Sequence, residues 1–77
     1  MNSRIQIDPA IQHGKPVIRE TRVPVSRIVG GLASGMTKDE LMKEYDLAEA
    51  DVVAALDYAN ELIEGEQYHP IVAVGAR

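Results

Sequence analysis

Met36-Thr37-Lys38-Asp39-Glu40-Leu41-Met42-Lys43-Glu44-Tyr45-Asp46-Leu47-Ala48-Glu49 is the stretch on which the fold turns. Thr37 followed three residues later by Glu40 forms a capping box. The Thr37 hydroxyl accepts the Glu40 amide, and the Glu40 carboxylate reaches back to the Thr37 amide. Met36 and Leu41 stand where a hydrophobic staple would fix the entry of the chain. A short helix therefore opens here and closes near Tyr45, with Leu41, Met42 and Tyr45 turned inward. Asp46-Leu47-Ala48 makes a tight turn, and a third helix runs from about Glu49 to Glu64, ended by Gly65. Two short helices joined by such a turn are a helix-turn-helix pair. The inward stripe expected for the third helix is Val52, Leu56, Ala59 and Ile63, supported by Val53, Ala55 and Leu62.

Upstream, Val25, Ile28, Val29, Leu32 and Ala33 follow the i, i+3, i+4, i+7, i+8 spacing of an amphipathic helix. Gly30 and Gly31 each weaken that helix by roughly 1 kcal/mol relative to alanine, and a glycine pair there is either a close approach of another backbone or simply tolerated. Gly35 supplies a left-handed C-terminal cap. Further out, Arg4 to Asp8 alternates polar and apolar with Ile5 and Ile7 on one side, the period of a half-buried strand stopped by Pro9. His13-Gly14-Lys15-Pro16 is turn chemistry. Val17-Ile18 and Val23 offer a second short strand or hairpin across the Arg19-Glu20-Thr21-Arg22 corner. The expected fold is mainly α: a short N-terminal β segment or hairpin followed by a three-helix helix-turn-helix unit. It forms one domain over residues 1–66, with residues 67–77 as a C-terminal tail. In that tail, Ile71, Val72 and Val74 form a β-prone apolar run, either a strand for a partner to complete, the reading favoured here, or a disordered end.

With 77 residues the chain has room for one domain, and a domain this small buries only roughly 60% of the surface its unfolded form exposes. There is no cysteine for a disulfide, and His13 and His69 are too far apart in sequence to read as a metal-ligand pair. No metal or cofactor is expected. The missing burial is expected from a homodimer or a partner chain. With no Phe and no Trp, the core must be aliphatic. Met1-Asn2-Ser3-Arg4 does not open on an apolar block, and no stretch approaches the roughly 20 apolar residues of a membrane span, so a cytoplasmic location is expected.

The net charge of −4 is unevenly placed. Through Met36, five bases (Arg4, Lys15, Arg19, Arg22, Arg27) stand against Asp8 and Glu20. From Thr37 onward, ten carboxylates face Lys38, Lys43 and Arg77. The halves carry +3 and −7, an asymmetry that suits separate partners for the two ends or head-to-tail self-association.

Three runs together resemble a known family: Gly14-Lys15-Pro16-Val17-Ile18-Arg19-Glu20-Thr21-Arg22-Val23-Pro24-Val25, Leu32-Ala33-Ser34-Gly35-Met36-Thr37 and Ala54-Ala55-Leu56-Asp57-Tyr58-Ala59. They are similar to domain-of-unknown-function family 433, whose members carry a G-K-P-x-I-x-G-T-R-x-x-V signature. The resemblance covers roughly residues 5 to 64. It implies a homeodomain-like helix-turn-helix fold and an antitoxin role beside a PIN-like ribonuclease toxin in a type II toxin–antitoxin pair. It also implies binding to the protein's own promoter. Two positions depart from the pattern. Glu20 stands where the signature has glycine, which puts a positive-φ turn there in question. Ala48 stands where Ser or Thr usually caps the third helix, a loss of roughly 1 kcal/mol that Asp46 or Asp51 is placed to offset.

The residues themselves point to binding and away from catalysis. There is no thiol nucleophile and no phosphate-binding glycine loop, and neither histidine has an evident orienting partner. In the usual helix-turn-helix mode the N-terminal residues of the third helix meet base edges. Here those are Glu49, Ala50, Asp51, Ala54 and Asp57, with no Lys or Arg on the helix. The candidates for DNA or phosphate contact are Lys15, Arg19, Arg22 and Arg27. Of these Arg22 leans towards a structural role, while Arg19 and Lys15 are evenly balanced between structure and binding. The candidates for protein contact are the acidic face (Glu49, Asp51, Asp57, Glu61, Glu64, Glu66) and the apolar tail residues Ile71, Val72 and Val74. Two functions follow as expectations: an antitoxin that neutralises a basic nuclease by protein binding, or a free-standing DNA-binding transcriptional regulator.

Overall fold

The structure, a computed structural model, describes residues 2–65. It is mainly helical: a two-stranded antiparallel hairpin, β1 (Ile5–Gln6) and β2 (Val17–Ile18), precedes α1 (Val25–Ala33), α2 (Lys38–Tyr45) and α3 (Glu49–Gly65). Ile5 pairs with Ile18 and Gln6 with Val17. The chain then doubles back, with Val17 bridging Pro24 and the Ile18 amide donating to the Val23 carbonyl at 2.8 Å. The hairpin thus feeds directly into α1.

β1 ends before Ile7, which is left exposed instead of sharing the buried side with Ile5. The cause is local. Asp8 turns the chain, its carboxylate accepting the Ala10 amide and its carbonyl the Ile11 amide. Positive φ is not confined to Gly14 in the following turn, for Gln12 and His13 adopt it too.

Each helix boundary has an identifiable chemical cause. Gly35, at φ +106°, ends α1: its amide donates to Leu32 and the Met36 amide to Gly31, the paired bonds of a Schellman motif. The capping box forms as expected, with Thr37 Oγ1 accepting the Glu40 amide at 3.0 Å and Glu40 Oε1 accepting the Thr37 amide at 2.8 Å. Asp46 closes α2 in the left-handed region, which aspartate tolerates better than most residues.

The core is aliphatic: Ile5, Val17, Ile18, Val25, Ile28, Leu41, Leu47, Val52, Ala54 and Ala55 are all buried. It draws on β1, β2, α1, α2 and only the first two turns of α3. The expected inward stripe of α3 therefore requires correction. Val52 and Ala55 are buried, but Val53, Leu56, Leu62 and Ile63 are 43–56% exposed. Two causes explain the difference: Val53 and Leu56 lie level with the buried Val52 and Ala55 but on the outward side of the helix, whereas Leu62 and Ile63 lie where length leaves α3 uncovered. At about 1.5 Å per residue, the nine-residue α1 spans about 13 Å and the seventeen-residue α3 about 25 Å, so the second half of α3 runs past the elements that would cover it.

Candidate partner-binding surface

The turn before α3 positions the helix, and Asp51 fixes the turn. With Ala48 offering no side-chain cap, Asp51 Oδ2 reaches back to accept the Ala48 amide at 2.9 Å. The other oxygen, Oδ1, accepts from Arg4 Nη1 at 2.9 Å, tying the strand end to the helix start across 47 residues of sequence. Asp51 is 5% exposed. It is an internal strut, which removes it from the acidic face. Glu49 is also engaged: Lys38 Nζ donates to its Oε2 at 2.6 Å and joins the N-termini of α2 and α3. That hydrogen bond and the adjacent charge hold the Glu49 carboxyl below its ordinary range and push the Lys38 ammonium above its own.

What remains of the expected acidic face is Asp57, Glu61 and Glu64, all exposed and spaced i, i+4, i+7 along one side of α3. Glu66 lies outside the described residues, as do Ile71, Val72 and Val74. Beside the acidic stripe runs an apolar one, Val53, Leu56 and Ile63 at i, i+3, i+10, interrupted by Asn60. No lysine or arginine occurs anywhere in α3.

The basic candidates do not form one patch. Arg19 is pinned to β1, with Nε donating to the Ser3 carbonyl at 3.0 Å and Nη2 to the Ile5 carbonyl at 3.3 Å. It lines a small polar depression with Ser3, Arg4, Ile18, Glu20 and Asp51, in which the Asp51 carboxylate pairs with Arg4. Lys15 stands instead at the lip of an apolar depression between α1 and α3. Arg27 is exposed on α1. Arg22 is exposed as well, and its backbone, not that of Glu20, takes the positive φ of the corner, at 61°. The reason is the 2.6 Å bond from the Arg22 amide to the Ile18 carbonyl, which carries the reversal two residues further along. The structural arginines are thus Arg19 and Arg4, while the side chain of Arg22 makes no bond among the described residues. No spacing rule points to Arg4, whose role depends on a contact made only in the folded chain.

A family model described as a protein of unknown function, DUF433, matches residues 5–59, well over half of the chain. The chain belongs to DUF433. The DUF433 match begins at β1 and stops at Ala59, close to where α3 leaves the core, so Glu61, Leu62, Ile63 and Glu64 lie beyond it. No curated protein and no solved structure matches the chain. Among the described residues no helix is long and apolar enough to cross a membrane.

Proposed function

We propose that this DUF433 protein is a protein-binding module, the antitoxin of a type II toxin–antitoxin pair, and that α3 is the element presented to the toxin. The observation that carries this reading is the composition of the uncovered part of α3. An apolar stripe (Val53, Leu56, Ile63) lies against an acidic one (Asp57, Glu61, Glu64) on a helix without a single cation. Exposed apolar residues grouped on one element mark interaction sites more often than scattered ones do. A nuclease that binds a polyanion presents a positive groove, and an acidic helix with an apolar edge is complementary to such a surface.

Promoter binding is a secondary activity in this reading. It would rest on Arg22, Arg27 and Lys15, since the exposed N-terminal residues of α3 are Glu49, Ala50 and Val53. The second reading, a free-standing regulator, draws on the α2–turn–α3 arrangement. It requires DNA binding by the chain alone, falling steeply with salt.

The deciding experiment is co-purification of the tagged chain with the product of the adjacent gene. The expected result is a stoichiometric complex, with the neighbour toxic when expressed alone. Val53→Asp with Leu56→Asp should lower the affinity by a factor of about 30 or more, the effect of losing a central contact worth roughly 2 kcal/mol. Both residues are exposed, so the fold survives the change. Undiminished capture of the neighbour by the double variant, or no capture by the wild type, overturns the proposal.

A further inference from the structure

The outward side of α3 keeps a spacing that its apolar and acidic composition does not by itself require. Val53, Leu56, Asn60 and Ile63 follow one another at intervals of three, four and three residues, and all four are exposed. That is the a, d, a, d order of a coiled-coil seam about two heptads long, in which side chains of one helix seat between those of another. At about 1.5 Å per residue the seam runs for about 15 Å along α3. Asn60 is its single polar member and stands at an a position, where asparagine fixes register by meeting a polar partner, at a cost in affinity. In the same register the e positions are Asp57 and Glu64, both exposed. The g positions on the opposite flank, the buried Val52 and the half-buried Ala59, turn into the body of the chain.

We infer that the partner element seated on α3 is an amphipathic helix with a heptad apolar seam of its own. It carries lysine or arginine along the edge that meets Asp57 and Glu64, and a polar residue opposite Asn60. Spacing selects a helix, because a strand presents alternate residues and cannot follow steps of three and four. Charge selects the sign of its flank, since the carboxylates of Asp57 and Glu64 border the seam directly. Charge also excludes a second α3 as the occupant. The helix has no cation, so antiparallel self-pairing sets Asp57 and Glu64 against their like, and parallel pairing sets them against Val52 and Ala59. The same carboxylates repel the phosphates of a nucleic acid. The inference rests on the reading of α3 as the partner-binding element, and adds which secondary structure and which charge the partner brings to it.

The test is the binding of synthetic peptides to the purified 77-residue chain, read by fluorescence anisotropy. The probe is a helical peptide of about three heptads with isoleucine and leucine in its seam, a single central asparagine, and lysine at both flanking positions. Its counterpart has glutamate in place of every lysine. The lysine peptide should bind about tenfold or more tightly than the glutamate one, with the gap narrowing at high salt as the charges are screened. Asp57→Lys with Glu64→Lys should reverse that preference, which a misfolded variant cannot do. The wild type should also favour the asparagine peptide over one with leucine in its place by about tenfold, and Asn60→Leu should reverse this second preference. Equal binding of the lysine and glutamate peptides by the wild type, or a variant of either kind that keeps the wild-type preference, overturns the inference. Capture of the adjacent gene product would still uphold the toxin reading in that case. Lysine-peptide binding that passes both reversals, without such capture, upholds the inference and sinks the toxin reading, so the two fail separately.

Discussion

At Asp51 one carboxylate serves two elements: Oδ2 caps α3 and Oδ1 holds Arg4. Asp51→Ala removes both bonds and leaves the Ala48 amide without its acceptor, so unfolding free energy should fall by about 2 kcal/mol in a denaturant titration. Arg4→Ala should lose less than about 1 kcal/mol, because the Arg4 side chain is 47% exposed and water replaces part of what it gives. Equal losses for the two variants would show that the ion pair, not the cap, is the main contribution. Arg22 offers the opposite case. Its left-handed backbone costs roughly 1–2 kcal/mol, partly offset by the entropy a glycine would add to the unfolded chain. Arg22→Gly should therefore stabilise the protein by about 0.5–1 kcal/mol, seen as a rise of a few degrees in Tm. Ala48, standing where a hydroxyl residue belongs, narrowed the substitute cap to Asp46 or Asp51, and the structure decides for Asp51. Arg19 was not, because its acceptors are the carbonyls of Ser3 and Ile5, brought to it only by strand pairing.

Among the elements, α1 holds two adjacent glycines that the amino-acid order cannot tell apart. A Cβ at Gly31 would sit 2.9 Å from Leu41 Cδ2 and 3.2 Å from Met36 Sδ, and Leu41 is fully buried. At Gly30 nothing lies within 4 Å. Gly30→Ala should stabilise by about 0.5–1 kcal/mol through helix propensity alone. Gly31→Ala gains the same propensity but overpacks a closed contact, and should destabilise by about 1 kcal/mol net. Thermal melts of the two variants should move in opposite directions. The link between α2 and α3 gives a pH signature. Glu49 titrates below its ordinary range because of Lys38, so its contribution is present above the unfolded carboxyl value of 4.5 and lost as pH falls through the lowered folded value. The Lys38 contribution is present below 10.5 and lost as pH rises through the raised folded value. Lys38→Gln should lower Tm slightly between those limits and converge with the wild type below the lower one. A constant difference down to strongly acid pH would contradict the assignment.

On the scale of the whole molecule, the residues of α3 that hold the core together are distinct from those of the surface proposed for the toxin. Leu41→Ala, at a fully buried site on α2 packed against α1, should cost about 2–5 kcal/mol, while Leu56→Ala, 43% exposed, should cost under about 1 kcal/mol. Comparable losses in denaturant unfolding would mean that α3 is covered along its length. Periodicity alone made Val52, Leu56, Ala59 and Ile63 one inward stripe, since it reports which side of a helix is apolar but not where the neighbouring elements end. The amino-acid order determined by itself the features whose causes are local: the capping box at Thr37 and Glu40, the glycine stop at Gly35, the turn at Asp46, and hence three helices behind a short hairpin. These depend on groups within a few residues of one another, whose chemistry is the same in any fold. Only the tertiary structure decided that Arg4 meets Asp51, that Arg19 belongs to the strand, that Gly31 and not Gly30 is required, and that α3 outruns its core. Each of these depends on the meeting of groups distant in the chain, which close packing sets and local chemistry does not.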